Sequence, residues 1–66
     1  MEDSKFSKNL QEAREKANLT QLEVATKVGI HVNYYARIER GYIPAMKTLK
    51  AIAKVLKVKV SDVLPF

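Results

Sequence analysis

The chain predicts an all-α fold, a compact domain of five helices, on three observations. Apolar residues recur at spacings of three and four along most of its length, the period of an amphipathic helix. Within Asn18 to Gly41, NLTQLEVATKVGIHVNYYARIERG, two short helical patterns meet across a single glycine. The whole chain, 66 residues with 47% hydrophobic content, makes one domain (1–66), with a marginal core that suffices for a helical bundle without staples.

The first helix is expected from about Ser4 to Ala17, burying Phe6, Leu10, Ala13 and Ala17. The second should begin at Gln21, because Thr20 and Glu23 stand at capping-box spacing and each can satisfy a backbone donor at the helix start. Val24, Ala25 and Val28 follow at helical spacing, and Gly29 stands where a left-handed residue closes the helix. Ala25 is small where a second helix must cross, and Ile30 can plug the corner. The third helix runs from Val32 to Arg40 and ends at Gly41, and the fourth runs from about Ala45 to Leu56, with Pro44 at its boundary and Leu49, Ile52, Ala53 and Leu56 inward. Ser61 opens a short fifth helix. Val58 and Val60 continue the core in the preceding loop. A strand over KVLKVKVSDV ranks second, since it would have no partner in a helical chain.

Steps of about 100° per residue place Val32, Asn33, Ala36, Arg37 and Arg40 on one arc of the third helix and Tyr34, Tyr35 and Ile38 on another. The first arc is suited to base edges. Arg37 can grip guanine with two donors, Asn33 can pair with adenine, and Val32 can meet a thymine methyl. Two such helices across a glycine turn read as a helix-turn-helix, for which DNA binding is the default expectation; an ordinary helical hairpin is the alternative.

On these residues the segment resembles the helix-turn-helix domain of the phage repressor and Cro type, the XRE-like family. Phe6, Leu10 and Arg14 match that family's first helix, and IERG, Pro44, Leu49, Ile52, Ala53 and Leu56 match its third and fourth. The resemblance implies a repressor-like domain in which Gln21 grips DNA at the start of the second helix and Val32, Asn33 and Arg37 read the major groove. It also implies an internal ion pair between Arg14 and Glu39. The sequence permits that pair independently: Arg14 lies one turn beyond Leu10 and Glu39 one turn beyond Tyr35, so both border an apolar face. The alternative is two unrelated surface charges.

The net charge of +5 is unevenly spread. Residues 24 to 60 hold eight bases against Glu39 alone, and the rest of the chain holds four bases against six acids. Arg40 and Lys47 flank the reading face and are the better phosphate candidates; Lys27 is a weaker one. Lys50, Lys54, Lys57 and Lys59 are read as solvating the fourth helix and its exit. Absence of cysteine excludes disulfides and zinc-finger ligation, and no carboxylate cluster suggests a metal, so neither metal nor cofactor is expected. One histidine and scattered Ser4, Ser7 and Ser61 offer no nucleophile and base, so no enzyme is expected. No apolar run approaches a membrane span and the polar start does not resemble a secretory signal, which predicts a cytoplasmic protein.

Several positions depart from the family pattern. His31 stands where Ser or Thr normally caps the recognition helix; an imidazole is a poorer cap, but it can face DNA and make a pH-dependent phosphate contact, or simply be solvated. Lys57 replaces the usual glycine that closes the fourth helix. Leu22, Tyr42 and Ile43 either form an exposed apolar patch or pack, and packing is preferred. Tyr35 is expected in the core, and Tyr34 at its edge.

The expected function is that of a sequence-specific transcriptional regulator, most simply a dimeric repressor on double-stranded DNA. Homodimerisation is expected through Val60, Val63, Leu64 and Phe66; intramolecular packing of Val60 and Val63 is equally consistent with the sequence. The alternative is a protein-interaction module or antitoxin on the same fold.

Overall fold

Four helices of this chain end in the same way, on a residue forced into the left-handed region. The computed structural model describes residues 5–64, which form α1 (Lys5–Lys16), α2 (Gln21–Val28), α3 (Val32–Glu39), α4 (Met46–Leu56) and α5 (Val60–Val63). Asn18 (φ 59°), Gly29 (φ 91°), Gly41 (φ 117°) and Lys57 (φ 60°) follow the first four in turn. In each case the next residue donates its N–H back into the last turn: Leu19 to the Arg14 carbonyl, Ile30 to Ala25, Tyr42 to Arg37 and Val58 to Ala53. These are the long bonds of the Schellman closure, which satisfies helix carbonyls that would otherwise lack donors. A Cβ added at Gly29 would meet nothing within 4 Å, so the backbone angle alone asks for glycine there.

Helix starts are more varied. At α2 the capping box forms as the spacing predicts: the Glu23 N–H donates to Thr20 Oγ1 at 3.1 Å and the Thr20 N–H to the Glu23 carboxylate at 2.8 Å. α4 begins at Met46, after buried Pro44 and after Ala45, which supplies no side-chain cap. α5 begins at Val60, one residue before the expected Ser61, because the Asp62 carboxylate accepts the Lys59 N–H at 3.0 Å and moves the cap to Lys59. α3 ends at Glu39 with Arg40 as its cap. No strand is present among the described residues, and Ser4, the expected start of the first helix, lies outside them.

The core gathers Phe6 and Leu10 of α1, Val24 and Ala25 of α2, Tyr35 and Ile38 of α3, Leu49, Ile52 and Leu56 of α4, and Val63 of α5. Ala13 and Ala17, expected to be buried, are half-buried. α2 packs on both α3 and α4, α1 on α3 and α5, and α5 also on α4. Val63 is 1% exposed. The expected dimer surface therefore loses its centre to the core; Val60 and Leu64 are half-buried and pack against the same core, and Phe66 lies outside the described residues. Burying an apolar valine under α1 is favourable within one chain and needs no second copy.

One buried carboxylate joins three helices. Glu39, 2% exposed, receives Arg14 Nε on Oε2 at 2.6 Å and the Gln21 side-chain amide on Oε1 at 2.9 Å. Arg14 also donates to the Leu19 carbonyl at 2.8 Å. The backbone carbonyl of Glu39, at the end of α3, accepts from the Ser7 hydroxyl and from the Gln11 amide at 3.2 Å. The Glu39 carboxylate raises the Arg14 guanidinium above its ordinary value, chiefly through their hydrogen bond. Next to this pair lies the Tyr35 hydroxyl, which is buried and makes no hydrogen bond among the described residues. Burial, and then the neighbouring Glu39 carboxylate, pushes its ionisation well above that of an ordinary phenol.

The buried network and the helix closures lead to the following outcomes. Glu39→Met should cost about 3–5 kcal/mol in urea denaturation, since it strands Arg14, while Arg14→Met combined with Glu39→Met should cost less than Glu39→Met alone. Tyr35→Phe should be neutral or stabilising at pH 7, because it removes a buried hydroxyl without a partner. A raised phenol keeps in the fold a proton that the unfolded chain sheds above about pH 10, so its contribution is complete below that pH and declines above it. Parent stability should accordingly fall faster above pH 10 than that of Tyr35→Phe, by chemical denaturation across that range. Finally, Lys57→Gly should raise stability by about 1 kcal/mol by relieving the left-handed Lys57, read from the urea midpoint.

Candidate nucleic-acid interface

The orientation of α3 follows from what it buries. Tyr35, Ile38 and Glu39 face inward, Tyr34, Val32 and Ala36 are half-buried, and Asn33, Arg37 and Arg40 are exposed. At about 100° per residue the three exposed side chains share an arc of roughly 60°, directly opposite the buried three. An amide and two guanidinium groups thus stand together on the outer face of a two-turn helix. Val32, expected to read bases alongside them, instead packs partly against the core, which limits how far its methyls can reach outward.

His31 occupies the N-cap of α3 in extended conformation, and its Nδ1 accepts the Asn33 N–H at 3.0 Å. The expectation of a poor cap is corrected: the imidazole performs the task of the usual hydroxyl. Its exposed ring has consequences for chemistry. Protonating Nδ1 would turn the acceptor into a donor and open the cap, so a phosphate contact compatible with the cap comes from Nε2–H of the neutral ring.

Gln21 stands at the first position of α2 and is half-buried, with its amide committed to Glu39. The residue that the resemblance implies to be a DNA contact is also part of the internal network that fixes α3. Lys47 is exposed in the first turn of α4, and Arg40 is exposed where α3 closes, so the two cations bracket the connection that leaves α3. Arg14 and Glu39, expected as a pair, are brought together. Sequence reasoning did not find Ser7 and Gln11, whose side chains hold the end of α3. A signal was present: Ser7, Gln11 and Arg14 form a polar line at helical spacing beside Phe6 and Leu10.

Three apolar side chains, Leu22 of α2 and Tyr42 and Ile43 of the connection from α3 to α4, depart from expectation. Packing was preferred for Leu22, Tyr42 and Ile43, yet they are 60%, 49% and 47% exposed, and Met46 is 50% exposed. Pro44 alone turns inward from this connection, leaving its neighbours on the surface. Tyr42 rests edge-on against Tyr34, with ring centroids 6.0 Å apart. Among the described residues no group of three or more His, Cys, Asp or Glu could hold a metal ion, and no helix is long and apolar enough to cross a membrane.

Comparison with known proteins agrees with this geometry. The helix-turn-helix family model matches residues 10–63. A relative from Archaeoglobus fulgidus, described as an uncharacterized HTH-type transcriptional regulator, is 36% identical over 58 residues, covering 86% of this chain and 82% of its own. The matched span contains both sides of the Arg14–Glu39 pair, the glycine turn and the exposed arc of α3. The chain belongs to the helix-turn-helix family, in its XRE-like branch of phage repressor type.

Proposed function

We propose that this chain is a sequence-specific DNA-binding transcriptional regulator that acts as a dimeric repressor, covering a promoter by occupying a two-fold symmetric operator. The observation that carries this reading is the exposed arc of Asn33, Arg37 and Arg40 on α3, set opposite the face that the core holds. Arg37 donates its fork to a guanine O6 and N7, Asn33 pairs with an adjacent adenine, and Arg40 and Lys47 meet phosphates on either side. Val32 touches a thymine methyl at the edge of this contact, His31 gives a phosphate its Nε2–H, and Gln21 holds the backbone where α2 begins.

One α3 spans only a few base pairs, so useful affinity calls for two copies with recognition helices about 34 Å apart. The second reading, a protein-interaction module or antitoxin, draws its support from the exposed Leu22, Tyr42 and Ile43.

Selection of bound duplexes from a random library, followed by titration of the winner at two salt concentrations, separates the two readings. A regulator yields a two-fold symmetric site and a steep salt slope; no enrichment favours the interaction module. On the selected site, Arg37→Ala should cost about 1–3 kcal/mol and relax preference at one base pair. Arg40→Ala should weaken selected and random duplexes alike and make the salt slope shallower by about one. Equal losses on both kinds of duplex for both variants would remove the base-reading role given to Arg37.

A further inference from the structure

The C-terminal ends of α1, α2 and α4 meet around an open groove of about 670 Å³. Its apolar lining is Ala13 and Ala17 of α1 and the turn after it, Leu19, Val55 and Leu56 of α4, and Val58 just beyond. All but Leu56 are only partly buried, so the fold leaves this surface incompletely covered. Three exposed lysines line the same groove: Lys16 ends α1, Lys27 lies in the last turn of α2, and Lys57 caps α4. No acid is among the nine lining residues, and none of the three ammonium groups has a hydrogen bond or ion pair among the described residues. Glu12 and Glu15 share a separate depression with Lys16, and the Glu23 carboxylate, one turn before Lys27, is engaged with the Thr20 N–H. The uncompensated charge therefore rests chiefly on Lys27 and Lys57.

We infer that this groove binds a small amphiphile, an aliphatic chain that ends in a carboxylate. The aliphatic lining takes the chain out of water, and the exposed lysines hold the anionic head. A volume of this size is that of a small-molecule site, and nine lining residues fall well short of the roughly 20–30 a side in a standard protein interface. A macromolecular partner is therefore the poorer fit. Lys57 adds an observation from the backbone. Its φ of 60° is a conformation that glycine adopts without strain, yet the residue present carries a cation into the lining. Lysines at helix C-termini also complement the local dipole, which accounts for their sign but not for the apolar surface between them. No residue of α3 or of its connection to α4 lines the groove. The site is thus separate from the proposed reading face, and the inference stands whether or not the chain binds DNA.

Titration of the full chain with octanoate, hexanoate and octylammonium, followed by backbone amide shifts in NMR, tests the site. Octanoate should bind saturably, with the largest shifts at Ala17, Leu19 and Val58 and none of comparable size at Asn33 or Arg37. It should bind at least about threefold tighter than hexanoate, since each fully buried methylene contributes about fourfold. Octylammonium, with the same chain and the opposite charge, should bind roughly tenfold more weakly. Lys57→Gly separates binding from folding, because it relieves the left-handed residue and so does not weaken the fold. It should nevertheless lower octanoate affinity about threefold, as should Lys27→Gln, while Lys57→Arg retains it. Absence of saturable binding, or shifts centred away from the groove, overturns the inference. Equal binding of octanoate and octylammonium would make the groove an unselective apolar surface, and unchanged affinity in both Lys57→Gly and Lys27→Gln would leave the lysines to their helix ends; either result overturns it too.

Discussion

A carboxylate held out of water has to be matched by donors, and in this chain that requirement fixes the position of α3. Glu39 sits at the last residue of the helix with its side chain 3% exposed, a burial that would be strongly unfavourable for an unpaired charge. Arg14 arrives from α1 and Gln21 from the start of α2, so the charge is satisfied only while three helices hold one arrangement. The carbonyl of the same residue, left without an intrahelical partner, is taken by Ser7 and Gln11. Rotation of α3 about its axis would therefore break contacts at both ends of Glu39 together. Because Asn33, Arg37 and Arg40 lie opposite that tie, the carboxylate that never leaves the core sets which side chains face outward.

The same network changes how Gln21 is understood. A glutamine at the first position of a helix is well placed for an anion, yet its amide here is engaged with Glu39. Its substitution would disturb both the internal lock and the outer surface. Loss of DNA affinity would by itself not separate the two roles, whereas Arg37 and Arg40 lie outside every buried contact and can be altered without touching the core.

Local chemistry was the part of this chain most readable from sequence. The Thr20 and Glu23 capping box, the left-handed Gly29, the burial of Tyr35 and Ile38 and the exposed arc of α3 each follow from spacing within one or two turns. The Arg14–Glu39 pair spans 25 residues and was accessible because both charges border apolar faces and because the resemblance implies it. What was lost depended on three-dimensional competition. Ser61 is a good cap by composition, but Asp62 reaches the Lys59 N–H first. Val63 is apolar near the end of the chain, which says nothing of whether α1 or a second copy covers it. Tyr42 and Ile43 are apolar in a short connection, and only the inward turn of Pro44 shows that they stay outside. His31 was undervalued because capping preference is an average over hydroxyls and amides, and a neutral imidazole nitrogen accepts as well in the right geometry.

These features divide the work of recognition between parts of very different stiffness. The buried face of α3 is packed and its end is tied by charge, so the helix backbone has little entropy left to lose on binding, and the cost that remains is the fixing of the exposed Arg37 and Asn33 side chains. Base contacts from one such arc are few, and a strong preformed dimer would raise affinity for random DNA along with affinity for the operator, because its phosphate contacts come in pairs everywhere. In the proposed dimer a weak contact between copies would behave differently: it would contribute only where two half-sites hold the copies at the right separation and the second binding event is effectively intramolecular, so discrimination would rest on spacing as well as on base edges.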